Sequence, residues 1–191
     1  MYTIKNNVRK EIEIKKSRFI TVLYQLNKVE EVIPLLLQIK EEYKDATHYC
    51  YAYIINENKK SSDDNEPSGT AGMPILQVLE KNNLNYVLCI VIRYFGGIKL
   101  GAGGLVRAYT KSATEALKET EKIKLVPGYE IEIKIPYHEQ KRLDYILKEY
   151  KFTKNFNNKV TYKILIPKEE INRLNEFNPK IIQETQIEKE N

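Results

Sequence analysis

Seven of the chain's eight glycines lie between Gly69 and Gly104: Gly69, Gly72, Gly96, Gly97, Gly101, Gly103 and Gly104. Glycine loses more conformational freedom on folding than any other residue. Concentrating it implies backbone that needs positive φ, or close approach by another segment or a ligand. An apolar run divides the cluster, Tyr86–Tyr94, reading Tyr-Val-Leu-Cys-Ile-Val-Ile-Arg-Tyr. Its lack of alternation predicts a central strand covered on both faces. From Gly104 to about Thr120, Leu105, Ala108, Tyr109, Ser112, Ala113, Ala116 and Leu117 recur at helical spacing. Strand, glycine loop and helix in that order gather free N–H groups at a helix N-terminus, which is an anion site in principle. Tight packing of the helix on the sheet accounts for the same glycines. The loop Gly96–Gly104 spells neither G-x-x-x-x-G-K-[ST] nor G-x-G-x-x-G, because Ala102 follows Gly101 and Val106 stands where the third glycine belongs.

Basic residues surround the loop. Arg93 ends the strand, Lys99 lies inside the loop, and Arg107 and Lys111 stand one turn apart on the next helix, off its apolar face. Cations near a helix N-terminus oppose its dipole unless an anion offsets them. They read as phosphate or RNA contacts, as contacts for an acidic partner, or as a solvated face with ion pairs. Acids lie close by in sequence: Asp63, Asp64 and Glu66, followed by Ser68, Gly69 and Thr70. The acids either hold a metal or pair with Arg93 or Arg107. No His or Cys joins them at ligand spacing and hard cations need more oxygens, so no metal and no cofactor are expected. Ser68 and Thr70 suit phosphate contact or ordinary turn chemistry. His48 opens a strand beside Thr47, and no nucleophile has an evident base beside it, so the reading leans away from an enzyme.

The rest of the chain alternates short elements. Val8–Ile14 and Arg18–Leu26 read as strands around a tight basic turn, Lys15-Lys16-Ser17. A helix is predicted from about Lys28 to Tyr43, with Pro34 implying a bend or a later start. His48–Ile55 reads as a strand, Asn56–Ser68 as a loop, and Met73–Lys81 as a short helix with Pro74 in its first turn. Val126-Pro127-Gly128 reads as the domain boundary. Beyond it come a strand (Tyr129–Tyr137), a helix (His138–Tyr150), a hairpin around Asn157-Asn158, a helix (Lys168–Phe177) and a strand (Pro179–Ile187). That order, β-α-β-β-α-β, is the ferredoxin-like arrangement. The expected division is 1–127, 128–187 and a frayed tail at 188–191.

Composition bounds the function loosely. Thirty-one basic against 26 acidic residues give +5, which permits RNA binding without requiring it. The excess sits before the boundary. Cys50 and Cys89 have no C-x-x-C spacing and point to a reducing cytosol. The polar, charged stretch Met1–Lys16 is no signal peptide, and the apolar runs fall far short of the roughly 20 residues a membrane helix needs. A cytoplasmic protein with no membrane association is expected.

Four stretches taken together resemble the IMPACT/YigZ family. They are Lys16-Ser17-Arg18-Phe19-Ile20; Ala46-Thr47-His48 with Cys50 and Ala52-Tyr53; Asp63 to Gly72; and the contiguous run Arg93 to Tyr109. The sequence departs from the usual motif at Asn65, where Gly is usual, and at Met73, where a basic residue is common. The resemblance implies an α+β protein. Its first domain would be a left-handed βαβ unit similar to domain IV of elongation factor G, and its second a ferredoxin-like unit similar to domain V. It also implies a link to translation, with RNA or ribosome binding in bacteria, and a stress-response role through a translation-regulatory protein partner in eukaryotes. The expected contact set is Lys16, Arg18, His48, Arg93, Lys99, Arg107 and Lys111. Two rivals stand beside it: a phosphate- or nucleotide-binding enzyme using the glycine loop with Mg²⁺, and a pure protein-interaction module. Oligomeric state is not legible.

Overall fold

A computed structural model describes residues 1–189. It is a mixed α+β fold with two compact units, Met1–Ile123 and Lys124 onward, and two antiparallel sheets.

The chain opens on β1 (Tyr2–Ile4), β2 (Val8–Ile14) and β3 (Ser17–Gln25), followed by α1 (Val32–Glu42), β4 (His48–Ile55) and β5 (Asn58–Ser62). Next come α2 (Gly72–Lys81), β6 (Val87–Tyr94) and α3 (Ala102–Leu117). The sheet order is β2-β3-β6-β4-β5. At its centre β6 is buried from Val87 to Arg93. Strand periodicity sends Val87, Cys89 and Val91 into a core shared with α2 and α3, while Leu88, Ile90 and Ile92 meet α1 on the other side. This is the double cover that the unbroken apolar run predicts. All seven residues of the helical pattern from Leu105 to Leu117 are buried.

Several expectations need adjusting. A 3-10 turn, Val29–Glu31, precedes α1, so Pro34 falls in the first turn of the helix. Glu31 rather than Glu30 reaches back to the Asn27 N–H, at 3.2 Å. The stretch expected as a loop after Ile55 contains β5, an exposed edge strand hairpinned to β4 through Asn56 in a left-handed conformation. Its Asn-Lys-Lys-Ser-Ser sequence carries no apolar residue to betray it. Gly103 and Gly104 lie inside the first turn of α3, not before it.

The second unit takes most of β7 (Lys122–Ile135), then α4 (Gln140–Ile146), β8 (Lys151–Phe156), β9 (Val160–Pro167) and β10 (Lys180–Lys189). The order is β10-β7-β9-β8. Val126-Pro127-Gly128 lies within β7, opposite Thr185–Ile187 of β10. The element Lys168–Phe177 is a 3-10 helix. Its apolar residues Ile171, Leu174 and Phe177 recur every third position, the spacing that eclipses on a 3-10 helix, and all join the unit's core. Of the expected frayed tail, Glu188 and Lys189 are paired in β10, and positions 190 and 191 lie outside the described residues.

Candidate nucleic-acid interface

The acidic segment folds against β4 by consuming its own carboxylates. Asp63 accepts three backbone N–H groups, from Gly69 at 2.8 Å, Ala71 at 2.9 Å and Gly72 at 2.8 Å. Partial burial pushes its carboxyl upward, but these three donors prevail and hold it below its usual value. Asp64 takes the Tyr49 N–H on its carboxylate at 2.7 Å, and its carbonyl oxygen lies 2.8 Å from His48 Nδ1. Asp64 and Asn65 both have positive φ, 41° and 66°. Asn tolerates that conformation better than most residues, which accounts for its use where the family pattern has glycine. A Cβ on Gly72 would stand 2.7 Å from the Ser62 backbone, so the start of α2 closes on β5 only through glycine.

Glu66 turns inward. Its side chain is 4% exposed, and Oε1 accepts from the Arg93 guanidinium at 2.6 Å and the Tyr109 hydroxyl at 2.8 Å. Arg93, itself buried, also reaches Ser17 Oγ at 3.3 Å and sits 5.5 Å from the ring centroids of both Phe19 and Phe95. Cys50 donates to the Tyr109 hydroxyl oxygen and lies 3.0 Å from the Asp63 carbonyl. Burial raises the Cys50 thiol to about 12 and lifts the Tyr109 phenol well above its ordinary value, so both stay protonated at neutral pH. His48 Nε2 stands 3.7 Å from Glu66 Oε2. Of the three acids, Glu66 pairs inward with Arg93, one of the two cations that sequence offered them, and Arg93 is an interior residue.

The glycine loop closes over this lattice. Phe95 N–H donates to Thr47 Oγ1 at 3.0 Å and Gly96 N–H to Ser17 Oγ at 3.2 Å. A Cβ on Gly96 would fall 2.0 Å from the Lys16 carbonyl group, so the loop rests directly on the β2–β3 turn. That turn is a two-residue hairpin, with Ile14 opposite Ser17 and both Lys15 and Lys16 at positive φ. Hairpins of this kind favour Asn-Gly, so two lysines are held here at some backbone cost. At the far end Gly101, at φ 71°, leads into α3 with no side-chain cap. The Arg107 guanidinium lies within 3.5 Å of the position a Gly103 Cβ would take, over the first turn of the helix.

Of the expected contact set, Lys16, Lys99, Arg107 and Lys111 are exposed, and none closes a salt bridge among the described residues. Gly96 brings Lys16 to the start of the loop, and Arg107 covers its end. Arg18 is engaged by Glu11 at 2.8 Å and lies over the Tyr94 ring. His48 is half-buried, Ser68 and Gly69 are exposed, and Thr70 is buried with its hydroxyl on the Pro67 carbonyl. Phe95, Ile98 and Val106 are also exposed, and sequence reading missed them. The available signal was apolar side chains within the glycine loop and one off the apolar face of α3. Among the described residues no group of three or more His, Cys, Asp or Glu could hold a metal ion. No helix of the described residues is long and apolar enough to cross a membrane.

The family model of the Impact N-terminal domain matches residues 15–117, which contain every residue of this lattice. The chain belongs to the IMPACT family. Among IMPACT family members, YvyE of Bacillus subtilis is 50% identical over 119 residues, 61% of this chain and 55% of that protein. YigZ of Escherichia coli is 37% identical over 140 residues, covering 71% of this chain and 69% of YigZ. A member from Haemophilus influenzae is 45% identical over 116 residues, 58% of this chain and 56% of its own. The chain therefore spans about half the length of YvyE and of the Haemophilus protein. A crystal structure described as a hypothetical protein superposes over 99% of this chain and 98% of its own, with a TM-score of 0.70 and 28% identity.

Proposed function

We propose that this chain is a non-enzymatic, cytoplasmic RNA-binding protein acting in translation, and that it grips single-stranded RNA on the glycine-loop face of the first unit. One observation carries the reading: Gly96 packs on the Lys15–Lys16 hairpin, so a strained basic turn rests against the loop that carries the exposed Phe95 and Lys99. Cations that track phosphates, next to an aromatic on which a base can stack, form the usual pairing for single-stranded nucleic acid. Arg107 and Lys111 extend the basic surface along α3. The link to translation rests on the family resemblance. The strand order β10-β7-β9-β8 around a β-α-β-β-α-β sequence supports a ferredoxin-like second unit, similar to domain V of elongation factor G, beside a first unit similar to its domain IV. A Mg²⁺-nucleotide enzyme has less support, because Asp63, Asp64 and Glu66 already serve internal partners.

The test is fluorescence anisotropy with a labelled single-stranded RNA across a salt series. Wild type should bind with log K falling by about 0.7 per phosphate contact per log unit of salt. Lys99→Glu/Arg107→Glu should bind more weakly and with a shallower slope. Absence of binding at low salt, or equal slopes in the two proteins, refutes the reading and favours a protein partner on the apolar residues of this face.

A further inference from the structure

In the second unit, one side of the sheet is a core and the other is bare. Alternation sends Phe152, Tyr162, Ile131, Ile133 and Ile164 into the core with Leu143, Leu147 and Phe177. The opposite side carries two cross-strand rows given by the register: Glu132–Lys163–Thr153 and Lys134–Thr161–Asn155. Together with Asn157, Asn158 and Lys159 of the β8–β9 loop, these residues line an open groove of about 1000 Å³.

The two carboxylates that β7 turns to this side already have donors: Glu132 is bound by Lys134 at 2.9 Å, and Glu130 accepts from the Gln183 side-chain amide at 2.7 Å. Lys134, through its hydrogen bond and its charge, holds the Glu132 carboxyl below its usual value, with Lys180 and Lys163 adding to the same field. Lys180 stands opposite Glu132 on β10. Lys159, Lys163 and Lys180 close no salt bridge among the described residues. Lys154, by contrast, leans to the core side and pairs with Asp144. What remains is a shallow lattice of ammonium, hydroxyl and amide groups with no aromatic ring in either row.

We infer that this sheet face is a second RNA site, and that it takes the phosphate–ribose surface of an RNA duplex. Without a ring to stack on, the face offers nothing to an unpaired base. Spaced lysines suit phosphates across a groove, and Thr153, Thr161 and Asn155 suit 2′-hydroxyls on the wide minor groove of an A-form helix. The site lies in a different unit from the glycine-loop face and does not depend on it.

The experiment uses the full chain and three labelled probes of equal length: a blunt RNA duplex of about 16 base pairs, the span a known duplex-binding domain covers, the matching DNA duplex, and a single-stranded RNA. The Lys159→Gln/Lys163→Gln variant removes two exposed charges without reversing them, and its circular dichroism should match wild type. It should bind the RNA duplex about tenfold or more weakly at 0.1 M salt, with a log–log salt slope shallower by about 2. Its single-strand binding should be unchanged. Lys99→Glu/Arg107→Glu should show the converse, with the duplex slope preserved. Undiminished duplex binding by Lys159→Gln/Lys163→Gln overturns the inference, as does a wild type that ignores the duplex at low salt. Equal duplex losses in both variants would overturn a separate site. Equal affinity for the DNA duplex would overturn the role given to the Thr and Asn side chains. Loss of single-strand binding alone bears on the glycine-loop face and leaves the duplex arm readable.

Discussion

Replacing Arg93 by Met should be the most damaging single change in the first unit that touches no large apolar core residue. Arg93 supplies a 2.6 Å charged hydrogen bond to Glu66, whose side chain is 4% exposed. Without it the carboxylate keeps only the Tyr109 hydroxyl as a close donor, with His48 at 3.7 Å. Removing one partner of a buried pair costs about 3–5 kcal/mol, because the other charge is left uncompensated. For a chain of this length that lowers Tm by about 10 °C, at roughly 2–4 °C per kcal/mol. Glu66→Met alone should cost a similar amount by stranding the guanidinium. The double variant Arg93→Met/Glu66→Met removes both charges and fills the space with apolar atoms. Its remaining penalty is the Tyr109 hydroxyl, which loses its acceptor at a cost of about 1–3 kcal/mol. The double variant should therefore be more stable than either single one, with a coupling energy of about 3 kcal/mol or more. Urea unfolding followed by circular dichroism measures the cycle, and hydrogen exchange of the β6 amides reads the first unit by itself. Additive single-variant costs, or an Arg93→Met cost below about 1 kcal/mol, would refute the argument that this pair is desolvated and mutually dependent.

Three further outcomes follow from the same face. Gly96→Ala should cost about 3 kcal/mol or more, because its Cβ would meet the Lys16 backbone at 2.0 Å, whereas Gly97→Ala has open space and should cost only about 1 kcal/mol for its left-handed backbone; thermal melts of the pair separate crowding from conformation. Asp63→Asn should destabilise at pH 7 and progressively less in acid. The folded carboxyl lies below its unfolded value, so its stabilisation is complete above the unfolded pKa of about 3.9 and is lost as pH falls through the folded one; a wild-type-to-variant difference that grows below pH 4 would contradict this. Lys15→Asn/Lys16→Gly should stabilise the hairpin by about 1–2 kcal/mol and weaken RNA binding in the anisotropy assay; a turn that gains stability with unchanged RNA affinity would remove Lys16 from the contact surface.

What the sequence reveals tracks how local the determining interaction is. The double burial of β6 and the seven-residue stripe of α3 are legible because burial imposes a period on neighbouring residues. β5 is not legible, because an edge strand is specified by its pairing with β4 and not by its own polar side chains. The 3-10 character of Lys168–Phe177 was in principle visible in the spacing of Ile171, Leu174 and Phe177, but i, i+3 contacts also occur in α-helices, and the pattern alone did not decide. At the site, the glycine loop and its cations stand out by composition. The fate of Arg93 does not, since a terminal strand arginine points inward only because Glu66 arrives from a segment 27 residues away.

The acidic loop then resolves an apparent contradiction. Three acids within four positions lie close in sequence to the basic surface proposed to contact RNA, and in an extended chain they would cancel its charge. In the fold each acid is drawn away from solvent by a different inward donor set: the backbone N–H groups of Gly69, Ala71 and Gly72 for Asp63, the Tyr49 N–H for Asp64, and Arg93 with Tyr109 for Glu66. The loop thereby becomes the clamp that fixes β4, β6 and α3 relative to one another. Lys16, Lys99, Arg107 and Lys111 are left as the charges that meet solvent on the glycine-loop face. An acid-rich motif beside a basic site is here a means of building that site, and neutralising Asp63 should weaken RNA binding through disorder of the loop even though it removes a negative charge. An increase in RNA affinity in Asp63→Asn would instead mean that the carboxylate faces the ligand.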